Sequence, residues 1–425
     1  MKSKLMKNKS YLTLMGAQAI SSIGDWLSIV AIITLVGLKW NASPFEVSLI
    51  ILCLALPMAF LGPVAGIVAD RFNRKMLMIT SDVVRAGLIL ILTVANTIWI
   101  VYICLFTIGI FSSIFIPAKN GKLKELVKDE DMKSAMSITS MIDSSTKVLG
   151  PLLSGLLVTA FGAKIVFLLD SATFIVSAIL IAFLPKTVKL IKDNDIEEDH
   201  KADNSFKREL IEGFSFIKSK TYMLVGLTIL GLSLLILQLS DSQIIVLIRE
   251  LSEASPDLFG YIVTAAGLGM FFAGLLLANK PNYNTFILIF AGVFGIGFSF
   301  GMMGVLTNFD LNYSAIWAPL LGFSGGFSAS LIFIPFQATV QIDTPVHMTG
   351  RVFGVINSVT TTATIIGPLL GGWLATVIGI IPTFVITASL LIIVAIAGLL
   401  TRSKFEEEMN DVSESKQGAP ETATS

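Results

Sequence analysis

The sequence predicts an all-α membrane protein: twelve transmembrane helices in two pseudo-symmetric six-helix bundles, with both termini in the cytoplasm. Three observations carry this reading. The chain is 54% hydrophobic and only 14% charged, against about 25% charge in soluble domains. Its apolar runs repeat at about 20 residues, the length at which a helix crosses a bilayer, with short polar breaks between them. Lastly, the first half of the chain resembles the second.

The runs fall near 11–38, 47–69, 76–96, 98–116, 134–160, 165–184, 222–248, 258–279, 284–306, 313–336, 350–377 and 382–401. The opening MKSKLMKNKS and the triplet Ala17-Gln18-Ala19 resemble a secretory leader. Hydrophobicity continues well past the triplet, however, so a first transmembrane helix is expected after a cytoplasmic stretch at 1–10. The first bundle occupies 11–184, a cytoplasmic linker 185–221, the second bundle 222–401, and a disordered cytoplasmic tail 402–425. The early part of the linker is rich in charge. Phe206, Leu210, Phe214 and Ile217 recur at helical spacing, which predicts a short amphipathic helix there.

A net charge of zero hides a strong asymmetry. With the N-terminus inside, the outer loops keep only Lys39, Lys164 and Arg249, while the remaining loop lysines and arginines fall on the cytoplasmic side. Arg85 and Lys147 are the basic residues left within the spans. Cys53 and Cys104 lie inside spans and read as small apolar residues. The two histidines, His200 and His347, fall in predicted loops, so no metal site or haem is expected. No GxxxxGK phosphate loop occurs. No cofactor is expected, and an ion gradient is the expected energy source.

The repeat is explicit. IFIP at 114–117 returns at 332–335, and GPLLSG at 150–155 returns as GPLLGG at 367–372, at offsets of 218 and 217. A shift of 216 aligns GDWLSIVAI at 24–32 with SDSQIIVLI at 240–248, which sets Asp25 opposite Asp241.

Asp25 stands near the centre of the first apolar run, where a charge costs about 2.5–3.5 kcal/mol on insertion scales. Gln18, Ser21, Ser22, Asp25 and Ser28 recur at three- and four-residue steps, forming one polar stripe that should face the bundle interior. Span seven supplies Gln238, Asp241 and Ser242 on a comparable patch. In span five, Asp143 precedes Lys147 by four residues, the favourable order for a helical ion pair, structural or functional. In span three, Asp82 and Arg85 are three apart and read as a membrane ion pair, with a structural role favoured. Asp170, near the outer end of span six, reads as a packing or interfacial residue. Phenylalanines in spans four and ten would suit an apolar ligand where they line a cavity.

GIVADRFNRK at 66–75 joins spans two and three. Its pattern GxxxDRxxRK resembles the loop motif of the major facilitator superfamily, with Asn73 at the motif's usual glycine. Asn73 is expected to replace that glycine in a left-handed turn. The resemblance covers essentially the whole chain. GDWL at 24–27, SDVVRAG at 81–87 and FLLDSATFIVSA at 167–178 are most similar to the drug-efflux branch that includes macrolide and siderophore exporters.

By that resemblance Gly66, Asp70, Arg71 and Arg74 gate the cytoplasmic side. The family's central cavity would receive the stripes of spans one and seven. The fifth span lacks the upstream glycines of the antiporter motif, and the fourth lacks an arginine that many proton-coupled members carry.

The resemblance implies no enzyme but a proton-coupled exporter of an amphipathic small molecule, such as a drug, macrolide or siderophore. It would work by alternating access, with Asp25 and Asp241 at the coupling site. The alternative is an import permease for a metabolite; a non-transporting membrane sensor fits less well, since no catalytic cluster or soluble module is present. The expected setting is a bacterial cell membrane. The expected partners are protons, a small-molecule substrate and lipid, with no nucleic acid, and the chain is expected to be a monomer.

Overall fold

The computed structural model describes residues 7–185, 211–252, 257–279, 283–345 and 348–417, and these contain helices and turns but no strand. The first half comprises α1 (Lys9–Thr34), which continues as a π-helical turn Leu35–Lys39, α2 (Pro44–Arg71), α3 (Arg74–Leu92), α4 (Ile98–Leu126) and α5 (Asp129–Ala182). A short helix α6 follows at 211–218. The second half comprises α7 (Thr221–Asp241), α8 (Ile244–Ile248), α9 (Leu258–Asn279), α10 (Thr285–Asn308), α11 (Ser314–Asp343), α12 (Thr349–Ile378) and α13 (Ile380–Gln417).

Local chemistry sets the helix starts. The Asn8 carboxamide oxygen accepts from the Tyr11 amide at 3.1 Å, capping α1. Ser43 and Glu46 form a reciprocal capping box ahead of Pro44, which occupies the first turn of α2. Asn73 caps α3 by accepting from the Met76 amide. Its φ of −68° and ψ of 109° are extended, so the left-handed turn expected at this position is corrected to an N-cap, a task asparagine performs well in that conformation.

Glycine decides two breaks. Gly162, at φ 75°, bends α5 into two arms, and Gly379, at φ 96°, separates α12 from α13. Only glycine takes such angles without steric cost. The two lie at the same offset as the GPLL motifs, so the duplication extends to its turns. Among the described residues ten helices are long and apolar enough to cross a membrane, against the twelve spans predicted. Of the predicted spans, α3 falls outside that number because it carries Arg74, Lys75, Asp82 and Arg85, and within α5 only Leu152–Ala182 enters it.

Within the first half α1 packs on α5, α2 on α4, and α3 on both α4 and α5; in the second, α9 packs on α11, α10 on α11 and α13, and α7 on α12 and α13. Two symmetry-related seams join the halves: α5 against α9 and α2 against α12. Small residues let the backbones approach there, as in other membrane helix pairs. A Cβ on Gly155 would meet Thr264 and the Gly260 carbonyl, one on Gly260 would meet Thr159, and one on Gly372 would meet Ser48 and the Pro44 carbonyl. These contacts lie toward the end of the bundle that holds Gly162 and Gly379, called here the far end. At the opposite, near end, Tyr11, Leu14, Met78, Leu123 and Ile181 form an apolar cluster within the first half alone.

The predicted linker helix is present as α6, although Phe206 and Leu210 lie outside the described residues. Ile217 is buried, Phe214 is exposed, and Glu212 pairs with Arg351 of α12 at 2.6 Å. Past Thr401, where a disordered tail is expected, the α13 backbone stays helical to Gln417, in keeping with the helix-favouring Lys404 and Glu406–Glu408.

At the far end of the second half, Asp310 accepts from the amide (3.1 Å) and the hydroxyl of Ser252, which holds its carboxyl below the ordinary value. A depressed folded pKa means the tie is present above the unfolded carboxylate pKa and is lost as pH falls through the folded one. Hydrogen exchange should therefore show the Ser252 amide protected at pH 5–7 and losing protection only below about pH 3.9. In Asp310→Ala it should be unprotected throughout.

Candidate functional site

The polar stripe of α1 faces the interior of the first half. Gln18, Ser21, Ser22, Asp25 and Ser28 form one wall of a cavity of about 380 Å³. Leu54 and Met58 of α2, Ile89 of α3, Leu105, Ile108, Phe115 and Ile116 of α4, and Phe174 of the second α5 arm make the rest largely apolar. Arg85, Ser112, Lys119 and Asp170 add to the polar lining.

Arg85 organises these charges. Its guanidinium donates to Asp82 in a close charge-assisted bond, and the other oxygen of Asp82 accepts from Ser177 at 2.6 Å. Its second terminal nitrogen lies 3.6 Å from Asp25. The faces of Phe115 and Phe174 lie 4.8 and 4.3 Å from the guanidinium carbon, adding cation–π attraction in a desolvated setting. The Arg85 side chain is 4% exposed and that of Asp82 0%, while that of Asp25 is 45% exposed. Asp25 is thus the open member of a closed group.

Asp170, expected to be a packing or interfacial residue, is fully buried, which fits the packing alternative. It accepts a hydrogen bond from Ser28 of α1 and another from Thr173 at 3.3 Å. Gly24 makes this possible, since a Cβ there would collide with both Asp170 and Thr173. Among the described residues the cavity is lined by two carboxylates, Asp25 and Asp170, and two cations, Arg85 and Lys119, with Asp82 buried behind Arg85.

The other predicted residues are placed as follows. Gln238 packs against Gly367 of α12, while Asp241 is exposed at the last residue of α7; neither lines this cavity. Asp143 and Lys147 lie on α5, but their side chains fall outside the described residues, as does that of Asp70. Gly66 has open space around it, and Arg71 is exposed in the last turn of α2. Arg74 pairs with Glu125 of α4 at 3.0 Å, and Lys75 donates to the Ala182 and Leu184 carbonyls at 2.6 Å. These bases brace near-end helices of a single half. Sequence reasoning underrated Asp170, although Asp170, Thr173, Phe174 and Ser177 repeat at the spacing that singled out Asp25. It also passed over Ser48 and Gln243, which meet across the seam between the halves.

A family model described as Major Facilitator Superfamily matches residues 14–363. The chain belongs to that superfamily. It is 37% identical to the uncharacterized MFS-type transporter YfiS of Bacillus subtilis (strain 168), over 99% of this chain and 100% of the relative. Macrolide efflux protein A of Streptococcus pyogenes is 25% identical, over 91% and 94% of the two chains. Among solved structures, a POT family transporter in complex with 5-aminolevulinic acid superposes with a TM-score of 0.69 at 13% identity, covering 94% and 97% of the chains. The nucleoside transporter NupG gives 0.66 at 10% identity, covering 92% and 98%. These two show the shared fold. The chain is a multi-pass membrane transporter and not an enzyme.

Removing Arg85 while keeping its acids should be worse than removing the pair, because an uncompensated buried charge costs about 3–5 kcal/mol. In detergent, Arg85→Gln should lower the thermal unfolding midpoint well below wild type, and adding Asp82→Asn should recover part of that loss.

Proposed function

We propose that this transporter is a proton-coupled exporter of amphipathic small molecules that works by alternating access, with α3 and both arms of α5 included among twelve crossings and both termini cytoplasmic. The observation that carries the reading is the half-exposed Asp25, 3.6 Å from Arg85, on the polar wall of a cavity whose other walls are largely apolar. Its open carboxylate can take up either one proton or one cationic group of the substrate. Alternate occupancy by the two is the minimum needed to couple their opposed movements. The apolar walls suit the hydrophobic body of such a substrate.

Direction is supported by relatives whose names state efflux: macrolide efflux protein A, and the multi-drug resistance efflux pump PmrA of Streptococcus pneumoniae, 27% identical over 58% of this chain and 60% of the relative. With the termini inside, the far-end seams face outward, and the cavity belongs to a state facing the cytoplasm. Asp25 is assigned the coupling role, with Gln18 and Ser22 beside it. Asp241 is its repeat mate and the next residue to test.

Everted membrane vesicles energised by respiration provide that test. Proton-driven accumulation of a fluorescent organic cation should require the transporter and collapse with a protonophore. Asp25→Asn should lower its rate at least about tenfold, the equivalent of about 1.4 kcal/mol, and Asp241→Asn should lower it less. Unchanged gradient-driven transport in Asp25→Asn would exclude the assignment.

A further inference from the structure

The two seams between the halves are equivalent by descent but not in chemistry. Under the shift of 216, Ser48 matches Thr264, Pro44 matches Gly260 and Leu27 matches Gln243; Gly372 and Pro368 match Gly155 and Pro151 at 217. On the α2–α12 seam, Ser48 is fully buried and donates to the Pro368 carbonyl of the opposite half at 2.6 Å. Gln243, also fully buried, donates through its amide nitrogen to Ser48 at 2.8 Å and to the Pro44 carbonyl at 3.2 Å. The Pro44 carbonyl can only accept, so the amide group facing it must be the NH₂. On the α5–α9 seam the hydroxyls of Thr159 and Thr264 are buried without a hydrogen-bond partner.

Helix geometry explains the difference. α1 runs unbroken past Leu27, whose side chain is buried. α7 ends at Asp241, and Ser242 and Gln243 form the turn into α8. That turn aims the Gln243 side chain out of its own half and onto α2.

We infer that Gln243 is a positioning residue of the transport cycle: with Ser48 it forms a one-sided polar latch that holds the far end of the two halves together. The α5–α9 seam, where no such bond occurs among the described residues, serves as the sliding side. The inference rests on alternating access and not on the cargo or the coupling ion. The latch also favours its own release. In the closed state the Gln243 carboxamide oxygen is buried and without a donor. Opening the far end lets water supply that donor, offsetting part of the loss of the two bonds. A contact that is well made but incompletely satisfied suits an interface that must form and break in every cycle.

The test measures the conformational equilibrium directly. Nitroxide labels would be placed at the exposed far-end positions Asn41 and Tyr313, one on each half, in a Cys53→Ala/Cys104→Ala background. A second pair at the exposed near-end positions Phe72 and Ile342 reports the opposite opening. Pulsed electron–electron resonance then gives the populations without substrate or gradient, so the result does not depend on the transport assignments.

Gln243→Leu and Ser48→Ala should each raise the far-end-open population about threefold per bond lost, the factor set by about 0.6 kcal/mol for an interhelical hydrogen bond in a membrane. The near-end distance should shorten in parallel. Ser48→Thr, which keeps the hydroxyl and copies the repeat mate, should match wild type, and so should Thr264→Val on the other seam. If Gln243→Leu fails to fold, Ser48→Ala reads the latch from the opposite half. Unchanged distributions in folded Gln243→Leu or Ser48→Ala, or an equal shift in Thr264→Val, would overturn the inference.

Discussion

A guanidinium within a membrane-spanning bundle has to be surrounded by partners, and Arg85 is the residue around which the first half is arranged. Asp82 takes one side of its fork, Asp25 lies near the other, and Phe115 and Phe174 cover its faces. These contacts draw on α1, α3, α4 and the second arm of α5, so satisfying one side chain brings four elements to a common point. Moving any of them outward would expose charge to hydrocarbon, where the penalty is several kcal/mol. The cavity is therefore a by-product of charge satisfaction as well as a container.

The second half reaches the same architecture without that cluster. Its positions equivalent to the span-five charges Asp143 and Lys147 are Thr360 and Thr364, polar but neutral, and its helices are held by glycine contacts and stacked phenylalanines such as Phe300 and Phe384. One half thus carries most of the buried charge, while the other is mainly apolar. Duplication preserved the backbone plan, down to Gly162 and Gly379, while the side chains took on different tasks.

Much of this was legible in the sequence because bilayer length, helical period and charge asymmetry are one-dimensional signals. The all-helical membrane fold, the duplication, the inward stripe of α1 and the Asp82–Arg85 pair follow from them directly. Three things did not. Asp170 left packing and interface open as alternatives, because depth cannot be read from distance along a run and its partner Ser28 is on another helix. The break after Asp241 has no glycine or proline to mark it, so α7 and α8 read as one span and the reach of Gln243 was invisible. Asn73 was matched to a left-handed glycine by residue type, whereas its place ahead of α3 made an N-cap the better use of its side chain.

The central connection is fastened at both ends, and to different halves. Lys75 of the first half grips the carbonyls of Ala182 and Leu184, where the connection leaves, and Arg351 of the second half holds Glu212, just after it arrives. Between these anchors lie the 25 residues 186–210, enough chain to reach roughly 85 Å at full extension. The contacts that set the relative position of the halves among the described residues are those across the seams, where α5 meets α9 and α2 meets α12.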